Sequence, residues 1–236
     1  MFTFLAIAPG HYTVAASAGT GDCGLGASSE VTVPGPGDVA LFLFPVADPA
    51  GNLCQELIQP YVPAVGTALP LTGDNAIIEV ALPFPVTFYG QPYSTAWVDT
   101  SGILTFIDPG GSHPVPVGVP SAGGPDAMIA AFWDDLIVDA QASVVTQARG
   151  SGPFQEFVVE WRDVRRAADP TERVTFQITL SAQGYWTVSY TGIDPASPGE
   201  RGAYATIGVE NTDGSAGLEY SAGAAVLVDD RAVVFL

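Results

Sequence analysis

Period-two alternation of apolar and polar residues is the dominant pattern along this chain. In Arg173-Val174-Thr175-Phe176-Gln177-Ile178-Thr179-Leu180, the residues Val174, Phe176, Ile178 and Leu180 share one face, and Thr175, Gln177 and Thr179 the other. After Ser181-Ala182-Gln183-Gly184 the alternation resumes, with Trp186, Val188 and Tyr190 set against Tyr185, Thr187 and Ser189. Two such runs around a short Gly-containing loop predict a β-hairpin. Phe157, Val159 and Trp161 alternate in the same way against Val158, Glu160 and Arg162. Only Arg162 to Ala168 suits a helical turn, and Pro170 would stop it.

Toward the N-terminus the first 44 residues divide into four short predicted strands. These are Phe2 to Ala8, His11 to Ala16, Glu30 to Val33 and, after the turn Pro34-Gly35-Pro36-Gly37-Asp38, Val39 to Phe44. Residues 45–76 carry Pro, Gly and Asn without clear periodicity and read as a connector. From about residue 77 a second, larger set of strands begins and runs to residue 236. The expected class is therefore all-β: an antiparallel sandwich or jelly-roll-like main domain over 77–236, preceded by a small partial sandwich over 1–44.

Composition supports this plan and narrows the partners. The 27 Gly and 20 Pro supply turns for many short strands and would break long helices. No stretch approaches the ~18 uninterrupted apolar residues of a membrane-spanning helix. Seven basic residues, all of them Arg, stand against 25 acidic ones, for a net charge of −18. Such a chain repels phosphate backbones and anionic lipid heads, which excludes nucleic acid and membrane insertion from the expected partners. Cys23 and Cys54 have no His or second Cys nearby to complete a metal site. In an oxidising compartment they form one disulfide, worth on the order of 3 kcal/mol for a loop of this length; in a reducing one they remain thiols.

Catalytic patterns are scarce. The two histidines, His11 and His113, lie in a predicted strand and in a loop without a nucleophile motif. The H-E-x-x-H, P-loop and dinucleotide-binding patterns do not occur. Trp133-Asp134-Asp135, with Glu156 and Glu160 on another predicted strand, imitates the carboxylate pair of a glycosidase. Adjacent strand residues point to opposite faces, however, so one Asp is expected to cap a turn while the other meets solvent or an Arg. Oxygen atoms of Asp134, Asp135 and Asp139, or of the Asp213-Gly214-Ser215 loop, make Ca2+ the alternative ligand. Among the rings, Trp97, Trp161 and Trp186 alternate in phase with apolar neighbours and are expected in the core. Tyr185 is the one expected at the surface, and a single exposed ring does not make a platform for a glycan.

Four stretches carry a family resemblance. They are Leu82-Pro83-Phe84-Pro85-Val86-Thr87-Phe88-Tyr89-Gly90, leading into Tyr93 to Phe106 with Ser101-Gly102 at its turn; Ile129 to Leu136; Thr175 to Leu180; and Ala205-Thr206-Ile207-Gly208-Val209-Glu210-Asn211. In order and spacing, residues 77–236 resemble a β domain of large secreted actinobacterial proteins and, more distantly, the extracellular nidogen-like (NIDO) domain. Ala8-Pro9-Gly10-His11-Tyr12-Thr13-Val14 is similar to the end of a carboxypeptidase regulatory-like, prealbumin-type sandwich, a non-catalytic module. The resemblance implies a non-catalytic extracellular or cell-surface module of a larger exported protein, with its export signal upstream and Cys23 bonded to Cys54. It implies no cofactor, and as partner a protein or a glycan at the cell surface. A glycan-binding module and a carboxylate-dependent hydrolase, as accessory or catalytic domain, are the two alternatives.

Overall fold

Alternating side chains form antiparallel strands wherever one face can be buried, and here two sheets bury those faces against each other. The computed structural model describes residues 7–33, 35, 39–111 and 115–236. The described residues form eighteen strands. The first six are β1 (Gly10–Ala18), β2 (Leu25–Val33), β3 (Phe44–Pro45), β4 (Cys54–Ile58), β5 (Thr67–Ala68) and β6 (Gly73–Asp74). Next come β7 (Ile77–Phe88), β8 (Gln91–Asp99), β9 (Ile103–Thr105), β10 (Met128–Trp133), β11 (Leu136–Val138) and β12 (Ser143–Arg149). The last six are β13 (Glu156–Arg166), β14 (Arg173–Ser181), β15 (Trp186–Thr191), β16 (Thr206–Glu210), β17 (Gly217–Ala222) and β18 (Arg231–Phe235).

One sheet runs β17-β16-β10-β9-β8-β7; the other runs β4-β18-β15-β14-β13-β11-β6, with β12 paired to β13 and β5 to β12. Neighbouring strands are antiparallel throughout, so the all-β sandwich is as expected. Phe84, Val86 and Phe88 of β7 meet Val159, Phe176, Val188 and Phe235 of the larger sheet in one core. Stacked rings mark the contact between sheets, with Phe176 of β14 against Phe132 of β10, while Trp161 stacks on Phe176 from the neighbouring strand of the same sheet. Two hydrogen bonds cross that contact: Trp161 Nε1 donates to the Asp99 carbonyl at 2.8 Å and Tyr190 Oη to that of Ala131 at 2.6 Å.

The β14–β15 hairpin has the expected register, with Leu180 opposite Trp186 and Phe176 opposite Tyr190. The β7–β8 turn is Tyr89-Gly90, both at positive φ, the conformation that two-residue hairpins require. Several expectations are corrected. Residues 162–166 are not helical but belong to β13, where a bulge after Trp161 admits an extra residue, Asp163 at φ 52°. Trp97 is half-buried on the opposite side from Ala96 and Val98, because three apolar residues in a row leave the phase of the strand ambiguous. Residues 45–76 contribute β4 and β6 to the edges of the larger sheet instead of merely connecting. Strands as short as β5 and β6 have no room to show a period.

At the N-terminus, β1, β2 and β3 form a separate three-stranded sheet. Residues 39–43 are outside any strand, and only Phe44 of that predicted strand pairs. The predicted strand from Phe2 falls largely outside the described residues, as do the turn residues Pro34 and Pro36–Asp38 and the loop residue His113. Gly21, at φ 52°, lets the following segment lie on β17: a Cβ there would stand 2.3 Å from the carbonyl oxygens of Glu219 and Tyr220. Asp22 then accepts the Glu219 N–H at 2.8 Å, and Cys23 is disulfide-bonded to Cys54 at the start of β4. The bridge thus ties the hairpin to the side of the sandwich where the edge strands β17 and β4 both meet residues 21–23.

Candidate functional site

The Trp-Asp-Asp motif is a corner of the sandwich. Strand β10 belongs to the smaller sheet and β11 to the larger, and only Asp134 and Asp135 separate them. A bulge prepares the crossing: the N–H groups of Ala131 and Phe132 both donate to the Gly102 carbonyl, at 3.1 and 3.4 Å. Phe132 therefore turns into the main core, while Trp133 enters a second cluster with Ile103, Val119, Met128 and Ala130 on the outer side. Beside this crossing runs another, Asn75-Ala76, which links β6 to β7.

Between the two crossings lies a hollow of about 210 Å³, lined by Asp74, Asn75, Ser101, Val115, Pro116, Trp133, Asp134 and Asp135. Asp134 Oδ1 accepts the Asp135 N–H at 2.8 Å, and Asp134 Oδ2 accepts Arg166 Nε at 2.5 Å. The same guanidinium bonds Glu172 and sits 4.4 Å from the centre of the Tyr204 ring. Glu172 also accepts Ser197 Oγ and the Gly199 N–H. Asp134 is thus a neutralised structural carboxylate. Asp135 differs: burial, and then the charges of Asp74 and Asp134, raise its pKa above the ordinary carboxylate value.

Asp139, the third metal candidate, lies in another network. It accepts Arg173 Nη1 and Nη2 at 3.0 and 2.7 Å, with Arg165 Nε at 3.4 Å. The bond from Arg173 holds its carboxyl down to about 2. Asp213 is occupied by Ser215, whose N–H and hydroxyl both donate to its Oδ1. Among the described residues no group of three His, Cys, Asp or Glu side chains is placed to hold a metal ion. Glu160 likewise serves the scaffold, since it is almost wholly buried and accepts the Ala64 N–H and Arg162 Nε.

A larger hollow, of about 400 Å³, lies on the outer face of the nine-stranded sheet. Its floor is a block of four polar residues in facing pairs, Gln177 opposite Ser189 and Thr179 opposite Thr187. They are only 5%, 5%, 8% and 8% exposed. Leu57, Val62, Val234 and Leu236 supply apolar surface around them, and Gln59, Tyr185, Arg149 and Glu156 complete the lining. Gln177 Nε2 donates to Ser189 Oγ at 3.0 Å, but among the described residues Gln177 Oε1 accepts no hydrogen bond. Arg149 is engaged by the Val62 carbonyl and by Gln147.

The sequence pattern singled out Tyr185 but not the floor beneath it. Thr179, Thr187, Gln177 and Ser189 read as the solvent face of a hairpin, and only tertiary structure turns that face into a groove.

Residues 54–232, from the first residue of β4 into β18, match the family model described as NIDO related. The chain belongs to the NIDO-related family. Neither the curated proteins nor the solved structures include a match. The match covers both sheets of the sandwich, and therefore both hollows are features of the NIDO-related domain rather than of the N-terminal hairpin. Within that domain, no helix among the described residues is long and apolar enough to cross a membrane.

Proposed function

We propose that the chain works as a non-catalytic extracellular module, engaging a protein or glycan partner at a cell surface within a larger exported protein. The observation that carries this reading is the Asp134–Arg166–Glu172 network. Where the sequence offers a carboxylate pair, the fold has used one carboxylate to hold a corner together. The Cys23–Cys54 bridge supports an oxidising, extracellular setting, as does the NIDO-related domain itself.

In this reading residues 1–44 form part of a carboxypeptidase regulatory-like sandwich, and the NIDO-related domain begins not at residue 77 but at residue 54, where the family match and β4 both start. The exposure of Tyr12 and Leu25, which share one face of the three-stranded sheet, supports the first assignment, since a sandwich would cover such a face.

The test uses the whole chain. Panels of glycoside, ester and peptide substrates are expected to show no turnover beyond that of the Asp135→Asn variant. Saturable binding to isolated cell-surface material is expected, and to be equal for that variant. Turnover that Asp135→Asn abolishes overturns the non-catalytic reading. Absence of saturable binding overturns the interaction reading.

A further inference from the structure

We infer that the groove floored by Gln177, Thr179, Thr187 and Ser189 binds a short neutral saccharide. The inference rests on the non-catalytic module reading and gives that module a ligand class. A volume of about 400 Å³ falls within the ~300–1,000 Å³ typical of small-ligand sites.

Three properties of the lining define the ligand. The floor offers hydroxyls and an amide, all of which both donate and accept hydrogen bonds. Among the described residues Gln177 Oε1 is unpartnered but closed off from solvent, so a ligand hydroxyl gains this bond only where a turn of the side chain brings Oε1 to the groove. Among the described residues Tyr185 offers the one aromatic ring in the lining, and Leu57, Val62, Val234 and Leu236 add aliphatic surface. Together they match a sugar ring, whose C–H faces are apolar and whose edges carry hydroxyls.

Other occupants fit less well. A peptide adding as a strand needs a free sheet edge, but β14 is hydrogen-bonded to β13 and β15, and β15 to β14 and β18. An anionic ligand meets a chain of charge −18, and the one cation in the lining, Arg149, is already engaged by Val62 and Gln147. Glu156 at the rim further disfavours negative charge.

The test is an array of neutral and acidic glycans probed with the full chain, followed by calorimetric titration of each hit. Tyr185→Ala, Gln177→Leu and Thr187→Val are compared with the parent, and thermal unfolding checks that each is folded. Neutral saccharides are expected to bind, with affinity falling about tenfold or more in Tyr185→Ala at an unchanged thermal midpoint. Tyr185 is half-buried beside a turn, so this variant remains informative if Gln177→Leu fails to fold. A silent array, hits confined to acidic glycans, or hits whose affinity Tyr185→Ala and Thr187→Val leave unchanged would each overturn the inference. Surface binding that persists in Tyr185→Ala and resists competition by the neutral hits overturns the groove assignment while leaving the module reading intact.

Discussion

Glu210 ends β16 fully buried, opposite Met128, and no cation is paired with it among the described ion pairs. Its Oε2 accepts the Ser121 N–H at 2.8 Å, whereas Oε1 has no hydrogen-bond partner among the described residues. Burial pushes the carboxyl up from 4.5 to about 7; the charge of Asp126 adds to this and the Ser121 N–H opposes it. The folded state therefore holds a proton that the unfolded chain has already released. Stability is greatest below pH 4.5 with respect to this group and falls as pH rises from 4.5 through 7. Over that window the loss amounts to about 3 kcal/mol. Glu210→Gln keeps an acceptor for Ser121 but cannot ionise, at the expense of an amide donor in an apolar place, costing about 1 kcal/mol. The variant should match or fall slightly below the parent at pH 5 and exceed it by about 1–3 kcal/mol at pH 8. Urea denaturation of both proteins at intervals between these limits measures the difference. Asp126, Asp213 and Glu219 titrate in both proteins, so their contributions largely cancel. A difference that stays constant from pH 5 to 8 refutes the reasoning.

Four further outcomes are expected. Arg166→Met leaves Asp134 and Glu172 without their shared partner inside the corner, and chemical denaturation should show a loss of about 3–5 kcal/mol. Gly102→Ala forces a Cβ to within 2.3 Å of the Phe132 carbonyl oxygen at φ 83°, so the same assay should register at least about 1–3 kcal/mol. Asp139, held down to about 2 by Arg173, contributes stability above pH 3.8 that is lost as pH falls through 2. Being partly exposed, it is worth about 1 kcal/mol, and Asp139→Asn should flatten the acid limb of a stability–pH curve. Calcium added to the chelated chain should leave the thermal midpoint unchanged, since Asp134 and Asp139 already have arginine partners.

The strands with longest alternation were legible because burial on one side enforces period two: β14 and β15 lie in the register that their residues specify. Bulges were not legible. At Trp161 and at Ala131 an inserted residue reverses the parity of everything downstream, and nothing in Arg162-Asp163 or Phe132-Trp133 marks the insertion. The edge strands β5 and β6 escaped for a different reason, since two residues cannot display a period. The disulfide was legible as a conditional, because Cys23 and Cys54 had no other partner chemistry.

The two hollows differ in how far the local sequence announces them. Asp134 and Asp135 are adjacent in sequence and so look like a site, but Asp134's partner, Arg166, arrives 32 residues later from the other sheet. Five arginines, Arg162, Arg165, Arg166, Arg173 and Arg231, face carboxylates in this way and turn conspicuous acids into scaffold. The groove has the opposite character. Gln177, Thr179, Thr187 and Ser189 are inconspicuous in sequence, where polar residues alternating with a core face mean solvent. They become a site because neighbours from four other places in the chain, Leu57, Val62, Arg149 and Leu236, rise around them. Polar groups removed from bulk water but not neutralised by a charge retain hydrogen-bonding capacity, and Gln177 Oε1 is where that capacity is visibly unspent.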